Sequence, residues 1–103
     1  MNVENLTQDA VNLLCKLIEI PSSSREEKEA ADALAEVMLQ EYGLKTEREG
    51  NNIWCIANGY DKTKKTLLLN AHIDTVKPTS LWTRDPYKAT IEGDCIYGLG
   101  SND

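Results

Sequence analysis

A single histidine, His72, three cysteines and a shortage of basic side chains narrow the chemistry open to this 103-residue chain. The cysteines Cys15, Cys55 and Cys95 are odd in number, widely spaced and without a C-x-x-C pair, so a zinc–thiolate site finds no support. Each lies among apolar neighbours, as in Leu13-Leu14-Cys15, which predicts reduced, buried and inert thiols. A cysteine nucleophile paired with His72 is an alternative that nothing local favours. Eleven Lys+Arg face seventeen Asp+Glu, a formal net charge of -6. That balance argues against nucleic acid and anionic membrane as partners, because both need a basic face. No apolar run approaches the roughly 20 residues of a bilayer span. The opening residues, Met1-Asn2-Val3-Glu4-Asn5, have neither the basic start nor the apolar centre of a secretory leader, so the expected location is the cytoplasm.

Hydrophobic residues make up 41% of a chain that is near the size of one small domain. Val11, Leu14, Leu17 and Ile18 recur at helical spacing and predict a helix from about Thr7 to Ile18, capped by Asn5 or Thr7 and stopped by Pro21. Ser24-Arg25-Glu26-Glu27 reads as a capping box. The helix it opens runs to about Tyr42, buries Ala31, Leu34, Ala35 and Met38, and ends at Gly43. Strand signals follow: Leu44 to Arg48, Ile53 to Ala57 across a Gly50-Asn51-Asn52 turn, and Thr66 to Ala71. The unbroken Leu67-Leu68-Leu69 predicts burial on both faces, as in a central strand of an α/β sheet. Lys88-Ala89-Thr90-Ile91 and Cys95-Ile96-Tyr97 flank Glu92-Gly93-Asp94, a hairpin turn.

The strand signal Leu67-Leu68-Leu69-Asn70-Ala71 runs directly into His72-Ile73-Asp74. Residues i and i+2 of a strand share a face, so His72 and Asp74 project together from the strand's carboxyl end. Open α/β sheets place ligands there. The pattern fits an imidazole metal ligand whose other ring nitrogen is held by a carboxylate; the plainer reading makes Asp74 a turn cap. In Trp82-Thr83-Arg84-Asp85-Pro86-Tyr87, the aromatic rings are expected to pack on a sheet edge. Arg84 is expected at the surface, with substrate-carboxylate binding as the lesser option. Gly98-Leu99-Gly100 hints at a phosphate loop, but Asp103 occupies the third glycine position of a dinucleotide fingerprint and would repel a pyrophosphate.

Taken together, Ala71-His72-Ile73-Asp74-Thr75-Val76, the Trp82–Tyr87 loop and Ile96-Tyr97-Gly98-Leu99-Gly100-Ser101-Asn102-Asp103 resemble the M20 family of co-catalytic metallohydrolases. The Ile20-Pro21-Ser22 turn fits as well. Trp-Thr-x-Asp-Pro and Tyr-Gly-Leu-Gly most resemble its acetylornithine deacetylase branch; Lys77 departs from the family's usual Thr-Val-Pro. The resemblance implies an α/β fold, the N-terminal part of a zinc-peptidase-like three-layer α/β/α catalytic domain, with residues 1–103 as that first portion. It implies His72 and Asp103 as metal ligands, Asp103 bridging two divalent ions (zinc or cobalt), and Asp74 as the catalytic residue that orients His72. The remaining ligands, a general-base glutamate and a lid or dimerisation domain are expected beyond Asp103, so these residues alone are expected to be inactive. The implied reaction removes an acyl group from an N-acyl amino acid, N2-acetylornithine in arginine biosynthesis. A homodimer is an option for the longer form. Alternatives within the family are a succinyl-diaminopimelate desuccinylase and a dipeptidase or carboxypeptidase. Outside it stands a short non-catalytic α/β protein that binds a partner through its uncovered sheet.

Overall fold

A computed structural model describes residues 2–103. Helix α1 spans Val3–Ile18 and begins ahead of the expected Thr7. Asn2 is the cause, since its Oδ1 accepts from the amides of Glu4 and Asn5 at 2.9 and 3.3 Å. Those are donors that a helix start otherwise leaves free. Thr7 turns its hydroxyl to the Val3 carbonyl inside the helix.

Helix α2 spans Lys28–Tyr42. Its end is as expected: Gly43 sits at φ 64°, its amide bonds to the Leu39 carbonyl, and the Leu44 amide bonds to Met38. Such a reversal places a left-handed residue where glycine carries no Cβ penalty. The other end differs from expectation, because the capping box does not form. Glu27 Oε1 accepts from the Arg25 amide at 2.8 Å, and the Ser24 hydroxyl is engaged elsewhere. Arg25 itself adopts φ 74°, which no helix can include. Ala30, Ala31 and Val37 are the buried residues of α2, while Leu34, Ala35 and Met38 are only half-buried.

Strands β1 (Glu47–Glu49) and β2 (Asn52–Trp54) form an antiparallel hairpin through Gly50 and Asn51. Arg48 fastens it to α2. Its guanidinium contacts Asp32, which also takes Lys28 Nζ at 2.8 Å, and its Nε donates to the Gly50 carbonyl at 2.7 Å. Strands β3 (Thr90–Glu92) and β4 (Cys95–Tyr97) form a second antiparallel hairpin around Gly93 and Asp94, as the sequence predicts.

The predicted central strand is the main correction. Thr66 to Ala71 forms no strand among the described residues, and Leu67, Leu68 and Leu69 are 82%, 81% and 84% exposed. A strand exists only through its ladder. The two hairpins are separate two-stranded sheets, and neither pairs with this segment. The nearest pairing along the chain is one parallel bridge between Ser23 and Thr75. The described residues therefore form a mixed α/β set of two helices and two small sheets.

Its buried apolar residues are few: Ile18, Ala30, Ala31, Val37 and Leu99. Cys15 and Cys55 are half-buried free thiols, and Cys95 is a free thiol exposed on β4, so the expectation of burial fails there. Ile96 is less exposed than Cys95 and Tyr97 on either side, which is the alternation of a strand. Among the described residues no helix is long and apolar enough to cross a membrane.

Candidate metal centre

The α1–α2 connection and the segment after Ala71 run side by side and build the site. The Thr75 amide bonds to the Ser22 carbonyl at 2.8 Å, and the buried Ser22 hydroxyl donates to the Ile73 carbonyl at 3.0 Å. This pins Ile73 and Thr75, and His72 and Asp74 alternate with them. His72 and Asp74 meet side by side, Nδ1 to Oδ1 at 3.2 Å, although neither lies in the strand that the i, i+2 spacing presupposes.

Asp103 arrives from the other side along the exit of β4. Gly98 is packed so tightly on α1 that a Cβ there would lie 2.5 Å from Ile18 Cγ2. Leu99 is buried, and its amide bonds to the Pro86 carbonyl at 2.7 Å. Gly100 turns the chain at φ 80°, close against Thr75. Gly98-Leu99-Gly100 is thus a packing and turning device.

At the centre, His72 Nδ1 lies 3.0 Å from the Asp74 carbonyl oxygen and 3.2 Å from Asp74 Oδ1. On the opposite edge, His72 Nε2 lies 3.0 Å from Asp103 Oδ1. A carbonyl oxygen only accepts, so a neutral ring bonded to it carries its proton on Nδ1 and its lone pair on Nε2. That lone pair faces a carboxylate, and something positive must stand between them, either a proton or a cation. The Asp74 carbonyl first, then the hydrogen bond and charge of Asp103 and the charge of Asp74, hold the imidazole above its ordinary pKa of 6.5. Asp74 is held below its ordinary value, chiefly by the Ser24 hydroxyl, whose Oγ donates to Oδ2 at 2.5 Å.

These residues fit a metal ion of borderline softness. Nitrogen and carboxylate ligands bind Zn²⁺ at about 2.0–2.2 Å, so two tetrahedral ligands sit about 3.3–3.6 Å apart. The Nε2–Oδ1 spacing of 3.0 Å is shorter, a hydrogen-bond distance that would open by a few tenths of an ångström to admit the ion, and Asp74 lies behind the ring where a ligating imidazole has its partner. Among the described residues no group of three or more His, Cys, Asp or Glu side chains is gathered to hold a metal. A cleft of about 280 Å³ opens beside them over Leu14, Ile18 and Leu99.

Arg84 is committed elsewhere. Its guanidinium makes two bonds to Glu92, at 2.7 and 2.9 Å, and stacks 3.9 Å above the Tyr97 ring. No free fork remains for a substrate carboxylate, and the residue braces the 79–87 loop against the second hairpin. Sequence reasoning missed Ser22 and Ser24, which it read as a polar turn and a helix cap. Their partners lie 51 and 50 residues away, and no local spacing points to them.

No family model matches the chain. It is 30% identical over 104 residues to succinyl-diaminopimelate desuccinylase of Blochmanniella floridana, covering 95% of this chain and 27% of that protein. With succinyl-diaminopimelate desuccinylase 2 of Ruegeria sp. (strain TM1040) the identity is 32% over 104 residues, 92% of this chain and 25% of the relative. A shorter stretch of 46 residues is 54% identical to probable carboxypeptidase S-like 1 of Dictyostelium discoideum, covering 44% of this chain and 9% of that protein. The chain spans about a quarter of the length of the desuccinylases it matches. These names support the M20 hydrolase class, and not acetylornithine deacetylase in particular.

Proposed function

We propose that this chain forms the first part of the three-layer catalytic domain of an M20-type amide hydrolase, cytoplasmic and dependent on two divalent ions, zinc or cobalt. The observation that supports it most is the chain's one imidazole, held at Nδ1 by Asp74 and presenting Nε2 to Asp103. His72 and Asp103 would hold the metal. When bound, it supplies Lewis-acid polarisation of the scissile carbonyl and an acidified water. Asp74 keeps the proton on Nδ1, so that Nε2 keeps its lone pair for the ion, and Asp103 contributes negative charge and a second oxygen for a neighbouring cation.

The substrate is an N-acylated amino acid. The Trp82–Tyr87 loop and the Tyr97–Gly100 phrase favour N2-acetylornithine. The desuccinylase relatives carry the alternative, a succinylated diaminopimelate. The test uses the polypeptide that carries this sequence in its native source, isolated and supplied with Zn²⁺. Amide hydrolysis of either compound, abolished by a chelator and reduced at least a hundredfold by His72→Ala, is the expected result. The faster substrate identifies the acyl group. Metal-independent turnover, or full activity in His72→Ala, would overturn the proposal.

A further inference from the structure

We propose that Ser24 is a positioning residue of the His72–Asp103 centre, holding the Asp74 carboxylate in the orientation that fixes the imidazole. The inference rests on the metal-centre reading but concerns a residue that this reading does not use. Ser24 touches neither the imidazole nor Asp103. Its hydroxyl donates to Asp74 Oδ2 at 2.5 Å, which leaves Oδ1 turned to His72 Nδ1 at 3.2 Å. The two oxygens of one carboxylate are thus divided between a hydroxyl donor and the ring. Without the hydroxyl, either oxygen could turn to the ring or to solvent, since a terminal carboxylate torsion is broad and two-fold.

The backbone around Ser24 serves the same placement. Ser22 and Thr75 share a hydrogen bond, Ser22 also grips the Ile73 carbonyl, and Ser23 bridges to Thr75. Directly after Ser24 the chain takes the left-handed turn at Arg25, φ 74°. Glu27 holds that turn by accepting the Arg25 amide, and Asn51 holds Glu27 at 3.3 Å. A strained non-glycine residue persists only where its surroundings over-determine it. Here the turn takes Ser24 out of the helix it would otherwise cap and presents its hydroxyl to Asp74.

The test compares wild type with Ser24→Ala, Ser24→Thr and, as a control in the same loop, Ser23→Ala. The first measurement is the tautomer of His72, read from its ring ¹⁵N shifts above the imidazole's titration range and assigned by the loss of those signals in His72→Ala. Wild type is expected to be predominantly the Nδ1–H form. Ser24→Ala should weaken that bias, with the Asp74 carbonyl still accepting from Nδ1, while Ser24→Thr and Ser23→Ala keep it in full, with unchanged far-UV circular dichroism throughout. The second is Co²⁺ affinity from its visible absorption, expected to fall about tenfold in Ser24→Ala and recover in Ser24→Thr, the lower range for partners behind a ligand. A wild-type tautomer in Ser24→Ala would overturn the role of Ser24. Unchanged Co²⁺ affinity in Ser24→Ala, with wild type binding, would overturn it too. No Co²⁺ uptake by wild type would instead count against the metal reading, and the tautomer measurement would still decide Ser24.

Discussion

The imidazole of His72 has an acceptor beside each ring nitrogen, so protonation and metal binding compete for one position, Nε2. Because the folded-state pKa is raised, the protonated ring favours the folded chain. That contribution is complete below 6.5 and disappears as pH rises through the folded value. Metal affinity follows the opposite course and increases across the same window, since the ion must displace the proton. Proton NMR of the single Cε1–H is expected to titrate above 6.5. Asp103→Asn should lower the midpoint more than Asp74→Asn does, because the larger contribution from Asp74 is its main-chain carbonyl, which survives substitution. A midpoint at or below 6.5 that ignores Asp103→Asn would show that the ring and Asp103 do not meet in solution. At this scale, the nearness of His72 and Asp74 follows from their two-residue separation, although the strand from which the sequence argues it does not form. Asp103 is legible through the family resemblance alone. Ser24 is not, since Ser-x-x-Glu carries a strong local signal for a cap that a distant carboxylate outcompetes.

Among the elements, the exit of β4 has the least tolerance. Gly98 is buried against Ile18, which is 3% exposed, and an added methyl would meet the β-branched Cγ2 rather than a flexible chain end. Gly98→Ala should therefore push β4 and α1 apart, with an overpacking cost of about 1–3 kcal/mol. Since Asp103 follows on the same stretch, the variant should also weaken the His72–Asp103 pair and lower the His72 titration midpoint. Chemical denaturation gives the first quantity and the histidine resonance the second. Wild-type values in both would mean that the helix yields freely at this contact. The elements differ in how far the sequence reveals them. Helix α2 and both hairpins follow from Gly43, Gly50 and Gly93, whose conformational demands are local. The strand after Lys65 needs neighbours on both sides, which local pattern can call for but cannot supply.

For the molecule as a whole, that missing neighbour has a measurable cost. The Cα radius of gyration is 15.5 Å with extents of 51 × 33 × 25 Å. A compact domain of this length has about 13 Å. Leu67 and Leu68 line an open cleft with Trp54, Ile56 and Tyr60, all of them exposed. Contiguous apolar surface beside an unpaired main chain favours association. Leu68→Lys separates this arrangement from a buried strand by magnitude. At a position 81% exposed the substitution should change stability by no more than about 0.5 kcal/mol, leaving the circular dichroism of α1 and α2 intact. In a packed strand the same change would bury an unpaired charge and cost several kcal/mol. The expected outcome is an unchanged denaturation midpoint, weaker binding of a hydrophobic dye and less association as concentration rises. A collapse of the midpoint would show that the leucines are packed in solution, against a second copy or another part of the chain.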